Sequence, residues 1–277
     1  MKIKLSAGFS GVISTGSYEN ARPSYLVEIE LDREDVEVQP FEEFVSDRLA
    51  KLQDICQQRF QADEQRLIVD RITRERSDLR FYDGLPSVTS IINWDADFFV
   101  TPQDLQQYAS QGNLYHAQVE HFIKTGEWTP AGEIEGTWAD IVILKKGSLG
   151  LTYDDWQFPA FLKKYPVEKM EQGCTVKSVK HAFAGTSDIR VCYYDGKKTL
   201  ADVKRTPDKL KHFKQCAAYI LAEEEMGESP AYEQMMLIPA NGKTEQGFSK
   251  PVLSTEIAQY KGMFLKDREA FKKRFGI

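Results

Sequence analysis

Residues 184–204 read AGTSDIRVCYYDGKKTLADVK, and this stretch decides the fold. Gly185 to Tyr194 is rich in β-branched and aromatic residues, and Thr199 to Lys204 follows after a short polar break. Asp195-Gly196 between them is a strong hairpin signal, because the tightest two-residue turns need positive φ. The two runs therefore read as neighbouring strands. Residues two apart on a strand share a face, so Asp202 and Lys204 point one way while Val203 turns to the core. Asp188, on the first strand, is brought beside them.

Two carboxylates on adjacent strands can share a hard divalent cation such as Mg²⁺ or Mn²⁺. Phosphodiester hydrolysis needs such a cation to neutralise phosphate and activate water. It also needs a second positive group that holds or deprotonates that water or stabilises the developing charge. Asp202-x-Lys204 supplies both functions compactly. Asp-x-Lys triplets are common and mostly form surface salt bridges, so the reading depends on what accompanies this one.

Downstream, Thr206-Pro207 starts a helix that runs to about Glu225. Gln215 and Tyr219 lie one turn apart on it, suited to a phosphate, a base or a water. Tyr232 to Ile238 is a further strand and Ile257 to Phe275 a terminal helix. Upstream, Val167 to Met170 is a strand that Thr175 to Val179 extends. An earlier helix has Thr101 as N-cap and Pro102 in its first turn, and it stops near Thr125-Gly126. Leu105, Tyr108, Tyr115, Val119 and Phe122 mark its buried face. Gly112, His116 and Glu120 form one stripe. Gly112 costs helix stability and so predicts close packing there. His116 is a candidate metal ligand, with Glu120 orienting its other ring nitrogen or reaching the metal itself. In Leu85 to Ile92, Pro86 reads as a helix entrance with polar residues to cap it. Ala139 to Leu144 is a short strand or a helix end, and Leu151 to Tyr165 a helix.

Residues 1–80 read as a small α+β region. Strands are expected at Lys2 to Leu5, Gly11 to Thr15 and Tyr25 to Leu31. A helix opening at Gln39-Pro40 has Phe41, Phe44, Val45, Leu49, Leu52, Ile55, Cys56 and Phe60 on its apolar face. The charged stretch 63–80 reads as a junction, with a boundary near Arg80, so 81–277 form the main domain.

The bulk numbers set outer bounds. With 277 residues, 42% hydrophobic and 28% charged, the chain is an ordinary globular one. No run approaches 18 apolar residues, so no transmembrane helix is expected. No secretory signal is expected after Met1 to Leu5. Cys56, Cys174, Cys192 and Cys216 include no CxxC pair, so reduced thiols in a cytoplasmic protein are expected, without zinc or iron–sulfur. The net charge of -6 argues against a protein that coats DNA. Residues 141–214, however, hold 15 Lys/Arg against 8 Asp/Glu. Such a local excess suits a phosphate-binding channel, with Lys177, Lys180, Lys197 and Lys198 as candidates.

Taken in order, Gly112-x-x-x-His116, Gly185-x-x-Asp188, Asp202-x-Lys204 and Gln215-x-x-x-Tyr219 resemble the PD-(D/E)XK nuclease superfamily in its RecB- and Cas4-like branch. That branch includes phage exonucleases and the mitochondrial genome-maintenance exonuclease. Leu85-Pro86-Ser87-Val88-Thr89 resembles a segment near the bound strand in those exonucleases, and Glu168 matches an acidic position on the first core strand. The resemblance spans about residues 85–240. It implies an α/β restriction-endonuclease-like core, with a mixed central sheet flanked by helices. It implies a Mg²⁺ or Mn²⁺ held by His116, Asp188, Asp202 and the Val203 carbonyl, with Lys204 as the catalytic lysine; Asp188, Asp202 and, from the helix stripe, Glu120 complete the expected catalytic set. DNA contacts are expected from Ser87, Thr89, Lys180, Arg205, Gln215 and Tyr219. The family often has Thr or Ser directly after the lysine, where this chain has Arg205. The cysteines of iron–sulfur members are absent, and there is no Walker motif. The expected activity is DNA hydrolysis, as an exonuclease on single strands or duplex ends, in recombination, repair or phage replication of a bacterial or phage system. Residues 1–80 would suit docking to a replication or recombination partner. The alternative is a non-catalytic nucleic-acid-binding or assembly subunit on the same fold.

Overall fold

The computed structural model describes residues 3–11, 13–14, 20–21, 23–31, 41–96, 101–151, 156–227, 231–240 and 248–277. The chain forms two compact units, Met1–Gly84 with Phe275–Ile277, and Leu85–Arg274.

In the first unit, β1 (Ile3–Ser10) pairs antiparallel with β4 (Ser24–Leu31), while β2 (Ile13–Ser14) pairs with β3 (Asn20–Ala21). Helix α1 (Phe41–Glu75) packs on this sheet, burying Phe44, Leu52 and Cys56 at helical spacing. Phe60 meets Phe9 edge-on at 4.9 Å between ring centroids. Two expectations change. Ile55 is an exposed member of the predicted face, and most of the charged stretch taken for a junction is helix through Glu75. Its charges lie on the exposed side of a long helix that still buries Ile72, and whose length, about 52 Å, follows from the rise per residue. The expected helix opening at Gln39-Pro40, and part of the expected strand Gly11 to Thr15, lie outside the described residues. The unit ends with β5 (Phe81–Tyr82).

The second unit begins with β6 (Leu85–Pro86) and α2 (Val88–Asn93). Ser87, not Pro86, makes the helix entrance: its Oγ accepts from the Ser90 amide. Helix α3 (Pro102–Thr125) is capped by Thr101, whose Oγ1 accepts from the Asp104 amide at 3.1 Å, and ends on Gly126 at φ 77°. Ala139 to Leu144 lie within a helix, α4 (Trp138–Lys146). Of the helix expected over 151–165, α5 (Phe158–Lys164) is present, and residues 152–155 lie outside the described set.

Four strands follow: β7 (Glu168–Gln172), β8 (Thr175–Ser178), β9 (Phe183–Thr186) and β10 (Ile189–Tyr194). The run Gly185 to Tyr194 is thus two strands, broken at Ser187-Asp188. The cause is non-local. Gly173 donates to the Asp188 carbonyl and Ser187 to that of Cys174, so a long hairpin bends there and passes from one sheet to another. Asp195 (φ 53°) and Gly196 (φ 70°) form the predicted turn into β11 (Lys197–Lys204). Then come α6 (Lys209–Met226), β12 (Gln234–Pro239), β13 (Val252–Ser254) and α7 (Ile257–Phe275).

The fold is mixed α/β, with a central sheet in the order β13-β12-β11-β10-β7. Only the β11–β12 pair is parallel among these, joined through the α6 crossover. One sheet face buries Ala201, Val203, Met236 and Ile238 against Tyr115 and Val119 of α3 and the rings of Trp156, Phe158, Phe161 and Phe248. Alternation turns Leu200 and Asp202 to the other face, where α6 packs against β11 and β12. No helix among the described residues is long and apolar enough to cross a membrane.

Candidate active site

The register Ile189↔Ala201, carried one residue further, sets Asp188 opposite Asp202. Asp188 stands at the break between β9 and β10, where its side chain is released from ladder packing. Its Oδ2 accepts from the Val203 amide at 2.8 Å and lies 3.2 Å from His116 Nε2. Asp202, at 1% exposure, has Oδ2 2.6 Å from Lys204 Nζ. Its Oδ1 is buried and meets no donor among the described residues, and its carboxyl lies within hydrogen-bonding reach of the Asp188 carboxyl. His116, Asp188, Asp202 and Lys204 therefore form one cluster, supplied by α3, the β9–β10 break and β11.

The electrostatics follow from two buried acids beside two bases. Burial disfavours the Asp188 charge, but His116 and Lys204 outweigh it and hold this carboxyl well below the usual range. Asp202 is the acid that gives way. Burial, with the Asp188 charge adding, pushes it well above the usual carboxylate range against the pull of Lys204. Burial also works against the Lys204 ammonium, yet Asp202 and Asp188 keep its pKa above the ordinary value. The His116 imidazolium is favoured in the same way, Asp188 offsetting the cost of burial.

Among the described residues, no group of three or more His, Cys, Asp or Glu side chains is placed so as to hold a metal ion by itself. The donor set nevertheless fits a hard cation. It offers two buried carboxyls within hydrogen-bonding reach of each other, one of them driven toward its neutral form by burial and by its neighbour's charge. A cation between them would relieve that repulsion and let both ionise. Asp188, Asp202, the His116 ring and the Val203 carbonyl are the groups that could hold it.

The remaining predicted residues divide. Gln215 donates to the Tyr219 hydroxyl at 2.7 Å. Tyr219 is buried, and a Cβ on Gly185 would come within 2.6 Å of its ring. Tyr219 is thus a strut between α6 and β9, not a surface for stacking bases. Glu120 bonds Lys124 and Gln172 and sits at the rim, without a bond to His116. The packing expected at Gly112 is absent: nothing among the described residues lies within 4 Å of its Cβ position. Ser87 is consumed in capping α2, whereas Thr89 is exposed. Glu168 pairs with Tyr193, while Gln172 pairs with Ile189, which leaves Glu168 about 13 Å along the strand from the cluster.

The expected lysine channel does not assemble. Lys198 is buried with its ammonium over the Tyr232 ring at 4.4 Å, and it lies near the end of β11 opposite Lys204. Lys177 and Lys180 belong to the separate β8–β9 hairpin. Lys180 lines a pocket with His181, Arg268 and Lys272. Arg205 is the cation next to the site, over the Tyr108 ring at 5.7 Å.

Two residues that sequence reasoning missed support the cluster. A Cβ on Gly173 would overlap the Ser187 carbonyl, so this glycine lets the backbone approach that places Asp188. His212 accepts from the Asp208 amide at Nδ1, 2.8 Å, which leaves its proton on Nε2 in the neutral ring. Burial and the Lys204 charge hold its pKa down to about 4. The spacing Asp208-x-x-x-His212 at a helix start is the signal that could have found it. No family model and no curated protein sequence matches this chain.

Proposed function

We propose that this chain is a Mg²⁺- or Mn²⁺-dependent deoxyribonuclease with a PD-(D/E)XK-type core. The observation that carries the reading is the meeting of Asp188 with the Val203 amide beside the Asp202–Lys204 pair. Neighbouring strands thereby present two acids and a lysine at one point. Asp188, Asp202, His116 and the Val203 carbonyl would hold the cation, which supplies charge neutralisation at phosphate and acidifies water. Lys204, kept charged by the two acids, holds the attacking water or the developing oxyanion. Without metal the His116 imidazolium keeps Asp188 ionised and oriented, whereas as a ligand the ring would give up that proton to the solvent; the Gln215–Tyr219 strut fixes α6 against β9 behind the site. An exonuclease acting on single strands or duplex ends, in recombination, repair or phage replication, is the mode taken from the family resemblance.

The test pairs metal binding with cleavage. Mn²⁺ should raise the thermal midpoint of the wild type but not of Asp202→Asn. Labelled DNA should be cut in Mg²⁺ and left intact in chelator or by Lys204→Ala. Binding without cleavage under every metal condition would point instead to a nucleic-acid-binding subunit.

A further inference from the structure

Helix α3 carries an aromatic ring that the core does not use. Tyr108 belongs by periodicity to the buried face, yet it is 43% exposed. A single exposed aromatic is unremarkable, but the surroundings of this one are specific. It lies on the slanting stripe Tyr108, Gly112, His116, its Cα about 12 Å along the helix axis from that of the candidate metal ligand. The Arg205 guanidinium sits over it at 5.7 Å. Arg205 directly follows Lys204, so the pair is tied by one peptide bond to the end of β11. Between ring and imidazole, no described residue stands within 4 Å of the Gly112 Cβ position.

We infer that Tyr108, Arg205 and the open step at Gly112 form a nucleotide subsite for single-stranded nucleic acid, a base stacking on Tyr108 and the adjoining phosphate pairing with Arg205. The inference rests on the nuclease reading for its choice of ligand. An aromatic platform takes any base, because every base has a π-face, but only an unstacked base can offer that face. The planar guanidinium suits a phosphate bidentately. Glycine at 112 leaves room for the strand to pass from this subsite to the acids at His116. A side chain there would stand in the path. The subsite thus selects single strands by geometry rather than by sequence.

Binding of a fluorescent single-stranded oligonucleotide, measured in chelator, tests this without requiring cleavage. Tyr108→Ala should weaken binding about tenfold, while Tyr108→Phe and Tyr108→Trp retain it. An abasic strand should bind wild type and Tyr108→Ala alike. Arg205→Gln should lower the salt-dependence slope by about one phosphate contact. Equal binding of the normal strand by wild type and Tyr108→Ala overturns the inference, as does an equal loss on the abasic strand or no binding by wild type. If wild type shows the Tyr108 dependence but never cleaves, the nuclease reading fails and the subsite stands. If it cleaves while Tyr108→Ala binds normally, the subsite alone fails.

Discussion

Gly185 and the Tyr219 ring meet with no room for a methyl group between them: a Cβ on Gly185 would lie 2.6 Å from Tyr219 Cε1 and 3.2 Å from Val88 Cγ2. This contact locks β9 to α6 three residues before Asp188. Gly185→Ala should cost about 1–3 kcal/mol of stability, read as a lower denaturant midpoint in urea unfolding. An unchanged midpoint would mean that Tyr219 yields freely and is no strut.

Gly173 is held more tightly still, because its neighbour is backbone rather than a ring. Its Cβ would overlap the Ser187 carbonyl, and the Gly173–Asp188 hydrogen bond at 2.9 Å would have to open. Gly173→Ala should therefore destabilise at least as much as Gly185→Ala and also weaken the Mn²⁺-induced thermal shift. The first effect without the second would separate the bend from the placement of Asp188.

Lys204 compensates two buried acids, with Asp202 1% exposed. Removing one partner of a buried pair costs about 3–5 kcal/mol. Lys204→Met should approach this loss in chelator and recover part of it in Mn²⁺, since a cation can take over the compensation. Chemical unfolding with and without metal measures both.

His212 gives a pH signature. Its ordinary value is 6.5, and in the fold it is lowered to about 4. Between these values the unfolded chain binds the extra proton, so stability from this group is full above pH 6.5 and is lost as pH falls toward 4. Its ring resonances should titrate near pH 4, and His212→Gln should flatten the stability slope from pH 6.5 to 4. Titration near 6.5 would show that burial and the Lys204 charge do not hold the ring neutral.

Local chemistry in the sequence carried a good part of this structure. Thr101-Pro102, Gly126 and Asp195-Gly196 mark ends and turns by their own conformational preferences, and Asp188, Asp202, Lys204 and His116 could be named from strand and helix spacing. What stayed hidden depends on distant neighbours. Thr186-Ser187 continues a strand-like pattern, and only the approach of Gly173 breaks it. Tyr108 fits the apolar period of α3 but lies beyond the core's edge, which periodicity cannot locate. Lys198 reads as a surface cation until Tyr232 arrives beneath it.

The most direct measurement is single-turnover hydrolysis of an end-labelled DNA single strand in Mn²⁺. Wild type and Lys204→Ala are compared at saturating protein, with binding of each verified in chelator. We predict shortened products from wild type and a rate at least about a hundredfold lower for Lys204→Ala at equal binding, the scale on which removing one positioned stabilising group acts. Equal rates for the two proteins, or no hydrolysis by wild type in either Mn²⁺ or Mg²⁺, would contradict a catalytic centre built on Asp188, Asp202 and Lys204.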